Sequence, residues 1–188
     1  MNISKKWALW ILALFLVSGL SVSGACDRVY EQNESGEIKV TILYDNYLAT
    51  KGTQADWGFA CLIEGTAKKI LFDTGASAEI LWQNINLLKV PINKIEQIAI
   101  SHNHADHTGA LVSVLEKKKN LTVYLPASVH EDFVKRVKDK GSLAVRVNDP
   151  LEICKNVFLS GEMGDLIKEQ SLILDTKKGL VIITGCAH

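Results

Sequence analysis

Short apolar runs alternate with polar turns along most of this chain, and their periods separate strands from helices. Ile38, Val40, Ile42 and Tyr44 recur every second residue, which predicts a half-buried strand with those side chains on its inner face. Residues 59–64 and 69–73 predict a hairpin across Gly65-Thr66-Ala67-Lys68. Ile80, Leu81, Ile85 and Leu88 fall on one side of a helix over 77–88, and Pro91 stops the chain beyond it. Ile98, Ala99 and Ile100 read as a buried strand. A helix over 108–118 turns Leu111, Val114 and Leu115 inward and places Lys117, Lys118 and Lys119 at its negative pole. A strand over 121–125 precedes a helix over 128–140, closed by Gly141. Ser128 and Glu131 have capping-box spacing at its start. Strands follow over 143–147, 151–154, 157–160, 171–175 and 180–184, the last two turned by Lys177-Lys178-Gly179. This mixed order implies a layered α/β protein.

The first 37 residues follow a different grammar. Lys5 and Lys6 precede an unbroken apolar run over 7–17, and small residues lead to Ala25-Cys26. That is the form of a secretory signal peptide over 1–25, too short for a comfortable membrane span. Residues 26–37 read as a polar tether to a domain over 38–188. Cleavage after Ala25 exposes Cys26, the position that bacterial lipoproteins acylate, although Ser23 stands where leucine is preferred. Lipid attachment at Cys26, simple secretion and a retained signal anchor all fit. Each puts the domain outside the cytoplasm; the expected membrane contact is a lipid anchor at Cys26.

Composition narrows the function classes. The 188 residues carry 21 Lys plus Arg against 21 Asp plus Glu, and no basic patch is interleaved with aromatics, so nucleic acid is not an expected partner. An apolar share of 47% supports a core and excludes a disordered chain. Spacing selects no disulfide among the four cysteines, and Cys61 and Cys186 sit in or beside strand-like runs.

The chemistry concentrates in Ser101-His102-Asn103-His104-Ala105-Asp106-His107-Thr108-Gly109. Three of the five histidines and one aspartate fall within six residues. Imidazole and carboxylate suit a borderline divalent metal, zinc first, with iron or manganese as alternatives. His102 and His104 share one side of an extended segment, while Asp106 and His107 lie past the turn, so two neighbouring sites are expected. A catalytic zinc needs a third protein ligand. His130 reads as a solvated residue in a first helical turn, whereas His188 follows a β-branched strand that breaks at Gly185. His188 is therefore the expected third ligand of the first metal. Asp73 ends an apolar strand at a glycine turn. It either bonds its own backbone or orients a metal-bound imidazole, and the residues do not choose between the two. Asp106 would hold the second metal with His107, or orient the nucleophile at a single-metal site.

At these residues the chain resembles the metallo-β-lactamase superfamily: the Asp73-Thr74-Gly75 turn, the His102/His104/Asp106/His107 motif and a strand ending Gly185-Cys186-Ala187-His188 match in order. Tyr44-Asp45-Asn46, Trp57-Gly58-Phe59 and Glu169-Gln170 are similar to one branch, the dihydropterin-type hydrolases akin to methanopterin-precursor synthases. The resemblance implies an αββα sandwich, one or two metal ions, and hydrolysis of a small ester, lactone or phosphoester by activated water. It also implies a bridging aspartate and a further histidine beyond the His188 position, which makes 38–188 the N-terminal portion of such a domain. A non-catalytic metal-binding remnant is the competing expectation.

Overall fold

The computed structural model describes residues 37–48 and 50–188. The signal peptide, most of the tether and Cys26 lie outside the described residues. Six strands form one sheet in simple sequence order: β1 (Lys39–Tyr44), β2 (Ala60–Glu64), β3 (Ile70–Phe72), β4 (Gln97–Ala99), β5 (Thr122–Pro126) and β6 (Leu143–Val147). The first three pair antiparallel, and β3 through β6 run parallel. The second sheet has the order β10-β9-β8-β7, all antiparallel, built from β7 (Leu151–Cys154), β8 (Val157–Leu159), β9 (Leu172–Thr176) and β10 (Gly179–Ile183).

Parallel strands need crossovers, and these supply the helical layer. Helix α1 (Ala78–Leu87) links β3 to β4, α2 (Ala105–Thr108) and α3 (Leu111–Lys117) link β4 to β5, and α4 (Glu131–Asp139) links β5 to β6. Two cores result. Leu62, Leu71, Ile98 and Val123 pack under Leu81, Leu115 and Phe133 of the helices. Their strand neighbours Cys61, Ile63, Ile70 and Phe72 turn the other way, against Val157, Leu159, Leu172 and Leu174 of the second sheet. A strand buried on both faces reads as a continuous apolar run, which is why 60–63 and 70–72 do not alternate. The expected layered α/β architecture is what the chain adopts, with helices on one face of a two-sheet stack.

Three local expectations are corrected. Val40 and Ile42 are 40% and 43% exposed, while Leu43 and Tyr44 are buried. They sit opposite Ile63 and Cys61 on the face toward the second sheet, but β1 is at the sheet's edge and a register shift follows Ile42. The helix foreseen over 108–118 is broken in two. The Gly109 backbone lies so close to Ala76 O that a Cβ would come within 2.0 Å, and Ala110 N donates to Gly75 O at 3.3 Å. The chain bends there to dock on the turn after β3. The capping box at Ser128 does not form: Ser128 N donates to Glu162 Oε1 at 2.6 Å, and Glu131 pairs with Arg146. His130 caps α4 instead, exposed to solvent as expected, its Nδ1 accepting from Asp132 N.

Among the described residues no helix is long and apolar enough to cross a membrane, and Cys61, Cys154 and Cys186 are free thiols.

Candidate metal centre

The site forms where β3, β4 and β10 end on the same side of the stack. Asp73 follows β3 directly. Its φ of 55° is a left-handed backbone that aspartate tolerates better than most side chains. The turn is held to its neighbours by Asp73 N donating to Ala99 O and Thr74 N donating to His107 O. The carboxylate is completely buried and accepts three hydrogen bonds, from Ser101 N at 2.7 Å, Ser101 Oγ at 2.7 Å and His107 Nδ1 at 2.7 Å. Asp73 thus bonds across to the motif loop, not to its own turn.

Burial pushes the Asp73 carboxyl up, against the His107 and Ser101 hydrogen bonds; with the carboxylate ionised, the proton count around Ser101 assigns a tautomer. Its hydroxyl hydrogen goes to Asp73, so toward His102 Nδ1, 2.9 Å away, the oxygen can only accept. Nδ1 of His102 carries the proton and Nε2 is a bare lone pair. That Nε2 is buried and has no hydrogen-bond partner. Burial, before the neighbouring histidine charges, pushes His102 down to about 4, so the ring is neutral at physiological pH. His107 shifts the other way: burial disfavours its charge, but the Asp73 hydrogen bond and the charges of Asp73, Asp106 and Glu169 outweigh it.

The imidazoles converge. The His102 ring centroid lies 4.4 Å from that of His104, 4.3 Å from His107 and 5.0 Å from His188, and His104 lies 5.1 Å from His188. Asp106 Oδ2 is 3.4 Å from His107 Nε2. Two sets of donor atoms each fall within 4.8 Å of one another: His102, Cys186 and His188, and Asp106, His107 and Cys186. His104 belongs to neither close set, although its ring borders two of the members. The five residues singled out in the sequence therefore share one small volume.

The loop 185–188 is placed by a residue whose role sequence reasoning missed. Glu169, 5% exposed, accepts from the backbone N–H groups of Gly185, Cys186 and Ala187 on Oε1, and from that of His188 on Oε2. Burial alone would raise its pKa, but these amides and the nearby His102 hold it below the usual range. The loop sits tight against the motif: a Cβ on Gly185 would approach Ser101 Oγ to 2.3 Å. Gln170, next in sequence, donates its N–H to Ser101 O and its Nε2 to Ile100 O, joining the second sheet to the end of β4. The signal available in the sequence was Glu169-Gln170-Ser171, three polar residues before a strand, all of which are buried.

The residues fit a divalent cation. Zinc takes donors at about 2.0–2.3 Å, so its ligands stand some 3–4 Å apart. Imidazole, carboxylate and thiol donors already grouped within 4.8 Å need only a small contraction. A buried lone pair left empty on His102 is a polar group that such an ion would satisfy.

The chain is similar to known proteins in sequence and in fold. The chain is 26% identical over 200 residues to the 7,8-dihydropterin-6-methyl-4-(beta-D-ribofuranosyl)-aminobenzene-5'-phosphate synthase of Methanocaldococcus jannaschii, an alignment covering 80% of this chain and 68% of that one. A crystal structure described as a metal-dependent hydrolase of the beta-lactamase superfamily superposes with a TM-score of 0.63 at 28% identity, covering 81% of this chain and 67% of that chain. Human tRNase Z, short form, shares the fold at a TM-score of 0.59 and 16% identity, covering 78% and 68%. Residues 58–188 match the family profile of the metallo-beta-lactamase superfamily, and the chain belongs to that superfamily.

Proposed function

We propose that this chain carries the metal centre of a metal-dependent hydrolase acting on a small ester, lactone or phosphoester. The observation that carries the reading is the bare, buried Nε2 of His102, held in that tautomer by Ser101 and, through it, by Asp73. His102, His104 and His188 would hold one cation, and Asp106 and His107 a second. Zinc suits this donor set best. When bound, such an ion supplies Lewis acidity that acidifies water and polarises a carbonyl or phosphoryl oxygen.

The remaining work falls to the protein. Asp73 accepts from Nδ1 of His107, which orients the ring with Nε2 toward Asp106 and Cys186. Glu169 fixes the approach of Cys186 and His188 through their amides. Asp106, whose side chain is 20% exposed, is the carboxylate at the open side of the cluster, placed to ligate or to orient an attacking water. The superfamily relatives and the donor set together support hydrolysis over simple metal storage.

The test is direct. Protein purified without added metal is analysed for transition metals and assayed on lactone, ester and phosphodiester panels, beside His102→Ala/His104→Ala. Bound metal and turnover that both vanish in the double variant support the reading. Metal without turnover on any panel supports the non-catalytic alternative, and no bound metal in the wild type rejects both. The basic-apolar-small order of residues 1–25 supports an extracytoplasmic setting for this activity, with Cys26 the point of any lipid attachment.

A further inference from the structure

We infer that Cys186 is itself a metal ligand, and that its sulfur is the donor common to both halves of the centre. The inference rests on the metal-centre reading above and adds a residue to it. Cys186 Sγ lies 3.1 Å from Nε2 of His107. It is the one atom present in both close donor sets, with His102 and His188 on one side and Asp106 and His107 on the other. Independently, Nε2 of His102 is buried without a hydrogen-bond partner and His102 belongs to one of those sets, so a ligand is called for in the neighbourhood of the sulfur.

Local backbone explains why a side chain two positions before His188 reaches the same spot. Ala187 sits at φ 59°, a left-handed conformation that alanine adopts only under restraint from its surroundings. Four amide hydrogen bonds to Glu169 hold that turn. The kink brings the donor atoms of Cys186 and His188 within 4.8 Å of each other and of His102.

Coordination is balanced simply. The S–H bond breaks, its proton leaves to solvent, and the thiolate pair forms the metal–sulfur bond. With Asp106 the thiolate brings two negative charges to a doubly charged cation. Asp106, His107 and Cys186 make three protein ligands, which leaves a position open there. Sulfur also sets the preference of the site: a thiolate favours zinc, cobalt or iron over manganese or magnesium.

Cobalt(II) added to the full, metal-free chain is the probe. Thiolate ligation gives an intense near-ultraviolet sulfur-to-cobalt charge-transfer band, whereas histidine and carboxylate ligation gives visible d–d bands alone. The expected result is a charge-transfer band that rises with bound cobalt and is lost in Cys186→Ser but kept in Cys154→Ser. Zinc affinity should fall about tenfold or more in Cys186→Ser, since even residues behind the ligands are worth roughly 10–100-fold. Zinc should also slow alkylation of Cys186, mapped by mass spectrometry. Visible d–d bands without a charge-transfer band, or a band that survives Cys186→Ser, overturn the role of Cys186 and leave the metal centre standing. No cobalt bound by the wild type overturns both.

Discussion

Glu169 reaches His188 through the main chain. Its Oε2 accepts the His188 amide at 3.1 Å while Oε1 accepts the amides of the three residues before it. A buried carboxylate thus acts as the template on which one wall of the site is folded. Removing it strands several N–H groups in a partly buried place, and each such loss costs about 1–3 kcal/mol, not additively. Glu169→Ala should therefore destabilise the chain by about 2–4 kcal/mol in urea unfolding, with zinc affinity down at least about tenfold. Glu169→Gln keeps one oxygen for the three amides and should fall between. Wild-type stability in both variants would show the template is dispensable.

Asp73 and His107 allow a cleaner substitution. Asparagine tolerates the left-handed backbone at position 73, so Asp73→Asn preserves the turn while weakening the acceptor for Nδ1 of His107. Zinc affinity measured by competition with a chelator should drop roughly 10–100-fold. An unchanged affinity would mean that the Asp73–His107 bond serves folding alone.

The two buried histidines should titrate in opposite directions in the metal-free protein. His102, ordinarily near 6.5, is pushed to about 4 by burial, so in the unfolded chain it takes up a proton first as pH falls. Its contribution to stability is complete above about 6.5 and is lost as pH drops toward 4. His107 is raised, against the effect of burial, by Asp73, so its contribution is present at low pH and fades as pH rises through its folded value. Long-range imidazole proton–nitrogen spectra read both. A His102 that protonates at its ordinary pH would contradict the burial and tautomer assigned to it.

Bound metal should stabilise the fold by mass action, about 2.7 kcal/mol at a hundredfold excess over Kd. The melting temperature should rise with zinc in the wild type and stay flat in His102→Ala/His104→Ala. Equal shifts in both would place the zinc elsewhere.

Leu180, Val181 and Ile182 are 62%, 46% and 59% exposed on β10, the last strand of the second sheet among the described residues. Val181 also borders, with Ile38, Val40 and Leu174, a groove of ≈ 580 Å³ that is lined by none of the histidines. An apolar edge strand invites pairing with other chains. Val181→Lys should lower light scattering on heating while changing stability by no more than about 0.5 kcal/mol. Scattering equal to wild type would locate the aggregating surface elsewhere.

Among the described residues, period and punctuation in the sequence marked every strand and three of the four α-helices, because an element's buried face is written in residues a few positions apart. Leu81 and Ile85 on α1, and Leu111, Val114 and Leu115 on α3, needed no distant partner to be read. The metal motif was legible for the same reason: His102, His104, Asp106 and His107 are neighbours in the chain. Where only local spacing was consulted, the reading slipped. Gly109 breaks a helix because Ala76 lies against it, and Ser128 fails to cap because Glu162 takes its amide. The choice for Asp73 between its own turn and His107, and the placing of Glu169 under four amides, depended on groups far along the chain. So did the approach of Cys186 to His107, 79 positions away. Sequence alone determined which residues carry ligand chemistry and which faces must be buried, since both are properties of side chains and their spacing. Only the packing of two sheets decided which of those side chains meet. Hydrogen bonds and coordination depend on distances of about 2–3 Å, which chain order does not encode.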